Sequence, residues 1–226
     1  MTKALVFLIL FTSLICNAQL TNAQTKTKAS NAKKTITSNS AGAVKLGMTV
    51  AQMRRAVAPM KVKRTSDGEG IALIAITQGN RPVMTVYAGE ENPRARINER
   101  AKLEQIEVWD SSYTTAQGLH PGMPLRDVET KIGKLVKIVR SEIEAREFAE
   151  FTHQPSGIDI RVIGNDEEAG SYPMGDSTTS KYRDDARIYS LIVSGRANST
   201  AENKNVPSPH ITRRLSSSSG LRRVRE

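Results

Sequence analysis

The chain repeats its own pattern at a spacing of 75 residues, and this constrains its fold more than any other feature. Leu46-Gly47-Met48-Thr49 lies over Pro121-Gly122-Met123-Pro124. The apolar positions then fall into register: Val50 on Leu125, Met53 on Val128, Val57 on Ile132 and Met60 on Leu135. The same spacing continues without a gap. It places Leu73 on Phe148, Ile76 on Phe151, Thr77 on Thr152, Val83 on Ile158, Tyr87 on Val162 and Gly89 on Gly164. Leu103, Ile106 and Val108 then match Ile188, Leu191 and Val193 at a spacing of 85, so the second copy carries ten extra residues in its last loop.

Each copy has the same local grammar. Thr49-Val50-Ala51-Gln52 is a capping-box pattern, in which the Thr hydroxyl and the Gln side chain satisfy free backbone N–H groups at a helix start. Val50, Met53 and Val57 follow at i, i+3 and i+7, one face of a short helix. In the second copy Pro124 opens the helix, where its missing N–H costs little, and Gly133 closes it. Three strands are expected after each helix. Ile71 to Thr77 and Arg81 to Ala88 flank the turn Gln78-Gly79-Asn80, and Phe148 to His153 and Gly157 to Ile163 flank Gln154-Pro155-Ser156. Leu103 to Trp109 and Ile188 to Ser194 close the two copies. The expected class is α+β: two α-β-β-β repeats, short helices packed on antiparallel sheet. Neither copy, at about 75 residues, buries much core alone, so both are expected to pack as one unit.

The ends read differently. Lys3, the apolar segment Leu5 to Ile15 and the small residues of Cys16-Asn17-Ala18 form a secretory signal over residues 1–18, with a second cleavage choice at Thr21-Asn22-Ala23. A lipidated Cys16 is the lesser alternative, since Ile15 fits a lipoprotein signal poorly. Residues 19–40 are Thr, Lys, Asn, Ala and Ser with little to bury, and read as a disordered linker. The copies span 41–114 and 115–196, and 197–226 read as a basic disordered tail. The net charge is +10, yet 22 basic and 21 acidic residues lie between Ala41 and Arg196, so the excess sits on the ends. A nucleic-acid groove would put its charge on the fold, so no nucleic-acid partner is expected. The basic ends suit contact with anionic lipid or cell-wall polymer.

The segment Gly47-Met48-Thr49-Val50-Ala51-Gln52-Met53, with Val57 and Pro59 behind it, resembles the helix start of the SmpA/OmlA outer-membrane lipoproteins. Two such units in tandem resemble the beta-lactamase inhibitory protein architecture. The first likeness implies a small envelope protein, and the second a sheet surface that grips a partner protein. Ala58 stands where the motif usually has Gly, and Pro124 replaces its Thr.

Few residues invite chemistry. His120, His153 and His210 have no His, Cys or carboxylate at metal-binding spacing, so no metal and no cofactor are expected. Asn165 to Glu168 lacks the alternating ligands and glycine of a calcium loop. Gly175-Asp176-Ser177 resembles a nucleophile turn but lacks a downstream base motif. Asn198-Ser199-Thr200 is a glycosylation sequon. Aromatic residues are the better candidates. Ile106 and Val108 should face the core, leaving Glu107 and Trp109, the single Trp, on the other face with Tyr113 and Tyr189 nearby. The loop Gly164 to Asp185 adds Tyr172 and Tyr182. These five aromatics are the expected partner-binding residues. The expected function is a non-catalytic protein-binding module of the bacterial cell envelope, periplasmic or secreted. The alternatives are a secreted hydrolase using Ser177 and His153, and a structural envelope component that touches polymer through its basic ends.

Overall fold

Helix α1 (Val50–Val57) begins where the capping box closes. Gln52 N–H donates to Thr49 Oγ1 at 3.3 Å, and Thr49 N–H donates to Gln52 Oε1 at 2.9 Å. Helix α2 (Leu125–Ile132) begins after Pro124 with no side-chain cap and stops at Gly133, whose φ of 85° suits glycine. Val50, Met53 and Val57 of α1 and Leu125, Val128 and Ile132 of α2 are buried. The computed structural model describes residues 34–141, 146–165 and 168–195. No helix among these is long and apolar enough to cross a membrane.

Helices of eight residues are not stable alone and need a sheet to lie on. That sheet has nine strands. Their order is β12 (Thr178–Thr179), β9 (Leu135–Arg140), β10 (Glu147–Phe151), β11 (Ile158–Ile163), β13 (Arg187–Val193), β7 (Gln105–Val108), β6 (Arg81–Tyr87), β5 (Ala72–Gln78) and β4 (Lys61–Ser66). Every neighbouring pair is antiparallel. A smaller sheet runs β3 (Val44–Lys45), β2 (Ser40–Ala41), β1 (Thr35–Thr37), β8 (Thr114–Thr115), with β1 and β8 parallel. The described residues are thus α+β, mostly sheet with two short helices. The helix stripes share one apolar core with Ile74, Ile76, Met84, Ile106, Val108 and Leu191.

The chain entering each helix is stitched to the start of the strand that closes its half or to the segment just before it. Gly47 N–H donates to Leu103 O at 2.8 Å and Val50 N–H to Ala101 O at 2.9 Å. Gly122 N–H donates to Ile188 O at 2.7 Å and Leu125 N–H to Ala186 O at 2.9 Å. At the middle of the large sheet β7 meets β13, with Val108 opposite Leu191, Glu107 opposite Ile192 and Ile106 opposite Val193.

Two expectations need correction. Each helix is followed by four long strands rather than three, because β4 and β9 precede the hairpins. β4 reads Lys-Val-Lys-Arg-Thr-Ser and buries none of its residues fully, and β9 buries only Ile138. A half-exposed strand of this kind has too few apolar residues to announce itself. The linker expected over residues 19–40 ends early: Thr35–Thr37 is a strand, and Ile36 is in the core. Its pairing with Thr114 and Thr115 is long-range and leaves no local signal. The extra loop of the second half is tied down by β12, which pairs with β9. Residues 1–18, the early linker, the 198–200 sequon and the tail lie outside the described residues.

Candidate functional site

The face of the large sheet opposite the helices is built by strand alternation, broken by register shifts at Ile76/Thr77 and Arg161/Val162. On β7, Ile106 and Val108 are fully buried in the core, which turns Glu107 and Trp109 to the other side, as the pattern predicts. Register carries this face across the sheet: Lys63 stands beside Ala75, Ala75 beside Thr85, Thr85 beside Glu107. From Glu107 the row continues to Ile192 and Asp159.

This face is concave. Laid flat, β4 and β10 would stand about 29 Å apart, six inter-strand spacings of about 4.8 Å. Yet Asp67, just beyond β4, and Arg146, just before β10, bring Oδ2 and Nη2 within 3.7 Å. The sheet coils through its twist until its two halves meet over the face. A cavity of about 480 Å³ lies in the resulting trough, walled by Lys63, Asp67, Glu107, Trp109, Arg161 and Tyr189 among others.

Its floor is a buried polar node. Glu107 is only 8% exposed. Its Oε1 accepts from Ser190 Oγ at 2.6 Å and from Arg161 Nη1 at 3.2 Å. The Arg161 guanidinium sits 4.5 Å from the Tyr189 ring centroid, and that ring lies 5.8 Å from Trp109 at a 47° tilt. Carboxylate, guanidinium, phenol ring and indole therefore form one connected wall. The Trp109 indole Nε1–H is buried and finds no hydrogen-bond acceptor among the described residues. Lys63 is exposed and makes no ion pair among the described residues. Burial, reinforced by Glu104 and Glu91, pushes the Tyr87 phenol up from its ordinary value at the trough's edge.

Of the five aromatics expected at a binding surface, the fold brings together two. Trp109 and Tyr189 line the trough. Tyr113 does not: it is buried at 6% exposure, packed in the core beneath Gly42, with Lys34 Nζ 5.4 Å from its ring centroid. Burial raises its phenol pKa, with the Asp110 charge adding to the effect. Tyr172 spends its hydroxyl on Glu147 Oε1 at 2.7 Å, under the Arg140 guanidinium at 4.9 Å. Tyr182 donates to Glu129 Oε2 at 3.1 Å beside α2. Both hold the long loop onto the second half; neither lines the trough. The sequence could have offered Arg161, since Asp159 and Arg161 alternate with buried Ile158, Ile160 and Val162. It could not have offered Asp67 and Arg146, whose meeting depends on the curl.

Ser177 and His153 are not brought together. The Ser177 carbonyl accepts from Arg140 N–H at one end of β9, whereas His153 N–H donates to Ile132 O near the other end. The five residue steps between Leu135 and Arg140 span about 17 Å. The ring of His120 bonds the adjacent Pro121 carbonyl at 2.9 Å. Asn165 and Glu168 are engaged by Arg187 and Arg140 respectively. No group of three metal-ligating side chains occurs among the described residues.

No protein-family model matches the chain, and no curated protein matches it. Among solved structures, the uncharacterized protein yfeY from Escherichia coli is similar at 12% identity and a TM-score of 0.48, over 71% of this chain and 99% of that chain.

Proposed function

We propose that the chain is an exported, non-catalytic binding module of the bacterial cell envelope, built by tandem duplication, whose concave sheet face receives a partner protein. The observation that carries the reading is the trough itself. Folding brings one indole, two tyrosine rings, two arginines and a buried carboxylate onto a curved surface around a half-open cavity of about 480 Å³. A concave site with a few convergent polar groups and aromatic anchors is the usual form of a recognition surface.

Duplication is supported by more than the sequence register. The two helices, Val50–Val57 and Leu125–Ile132, stand 75 positions apart, and so do their three buried residues. The bonds Gly47 to Leu103 and Val50 to Ala101 have counterparts in Gly122 to Ile188 and Leu125 to Ala186, at the spacings of 75 and 85. At the centre, Glu107 pairs with Ile192, its own equivalent at a spacing of 85, with the flanking pairs exchanged about it. That is the register expected of two like halves related by a local two-fold axis. Export and an envelope location rest on Lys3, the apolar Leu5 to Ile15 segment, the small residues before a cut, and the likeness of Gly47 to Met53 to envelope lipoproteins.

The test is capture from cell-envelope extract by the wild-type chain and by a Trp109→Ala, Tyr189→Ala double variant that melts normally. A partner held by the wild type and lost by the variant is the expected result. Equal recovery by both removes the trough from the function.

A further inference from the structure

We infer that the trough takes a short acidic segment of its partner, one carboxylate meeting Lys63 and a neighbouring apolar or aromatic side chain lying on Trp109 and Tyr189; this rests on the binding role proposed above. The argument is one of charge and size. Lys63, Asp67, Glu107, Arg146 and Arg161 all line the cavity. The two acids are engaged: Asp67 with Arg146 at 3.7 Å and Glu107 with Arg161 at 3.2 Å. Lys63 is the lining cation with no carboxylate opposite it among the described residues, and it projects from the concave face of β4, in the row that ends at Glu107 and beyond.

An incoming carboxylate therefore finds a positive charge already in place and no acid that is not neutralised. An incoming ammonium would have to compete with an arginine for a paired acid and would face Lys63 as a like charge. The volume of about 480 Å³ lies in the range of pockets that bury a small ligand or a few residues, and is too small for a folded element. Thr65 and Gln105, also on the lining, offer hydroxyl and amide groups to an extended backbone. Trp109 and Tyr189, 5.8 Å apart and tilted, present the apolar part of the wall.

Because Trp109 is the single Trp, its emission reports the trough directly. The full chain is titrated at low ionic strength with acetyl-Glu-Phe-Glu-amide and with its Gln-Phe-Gln counterpart. The expected result is a saturable change in emission, with the acidic peptide binding about two- to fivefold more tightly, the size of a surface ion pair. That preference should vanish in Lys63→Gln and at high salt. Equal affinity of the two peptides overturns the inference, as does an acidic preference that survives Lys63→Gln, or no saturable change with either peptide. Envelope capture that still depends on Trp109 and Tyr189 while both peptides fail would discard the acidic segment and leave the binding role standing. Loss of both would discard the two together.

Discussion

The buried carboxylate of Glu147 organises the long loop of the second half. Glu147, 4% exposed, accepts from the backbone N–H groups of Ala169 and Gly170 and from the Tyr172 hydroxyl. It is the pin that holds the long loop on the sheet. Glu147→Ala would strand three donors in a poorly solvated place, and is expected to cost about 3 kcal/mol in urea unfolding. A loss under about 1 kcal/mol would show that the loop does not depend on this node. The same site gives a pH dependence. Burial first, then the bond to Glu147, holds the Tyr172 phenol well above its ordinary value, and Tyr113 and Tyr182 are raised too. The folded chain thus keeps these protons more firmly than the unfolded chain. The stability they contribute is full below the ordinary phenol pKa of 10.0 and is lost as pH climbs from there through the raised values. Denaturation midpoints should fall steadily above pH 10, and Tyr172→Phe should flatten that fall; a flat profile in the wild type contradicts the assignment.

At the scale of elements, the two helices make a natural comparison because they occupy like positions with unlike caps. Thr49 caps α1 through a complete capping box, whereas Pro124 opens α2 with no side-chain bond. Thr49→Ala is expected to cost about 1 kcal/mol, and Pro124→Ala well under that, in parallel thermal melts. Equal losses would mean that tertiary contacts, not caps, fix both helix starts. Gly133 is a third test: a Cβ there would stand 2.5 Å from Thr152 Oγ1 and 2.7 Å from His153 Nδ1, at a φ of 85°. Gly133→Ala should therefore destabilise by about 2 kcal/mol. What could be read beforehand divides along the same lines. Helices and hairpins were legible because their apolar periods and turn residues are local. Lys61–Ser66 was not, since Val62 is its lone aliphatic residue and the strand lies at the sheet's rim. Thr35–Thr37 was not, since one partner strand is nearly eighty residues away in sequence and the other, Ser40–Ala41, is only two residues long. Among site residues, alternation on β7 gave the face of Trp109 correctly. Tyr113 was misplaced because nothing in its neighbourhood says that Gly42 leaves room for its ring.

For the whole molecule, the governing fact is that a sheet of nine strands curls far enough for Asp67 and Arg146 to meet. Curvature of this kind turns a polar sheet face into a half-open trough, and it places Lys63, Glu107, Trp109, Arg161 and Tyr189 around one cavity although they come from four strands or their ends. The proposed export has its own check: the mature chain should begin after Ala18 or Ala23, read by mass spectrometry of the protein recovered outside the cytoplasm. The claim on which the account turns is that the trough, and not another face, meets the partner. In-cell photocrosslinking from position 63, inside the trough, and from position 136, where Val136 is exposed on β9, compares the two directly. The account predicts a discrete adduct from position 63 and none from position 136; an adduct from position 136 alone would contradict it.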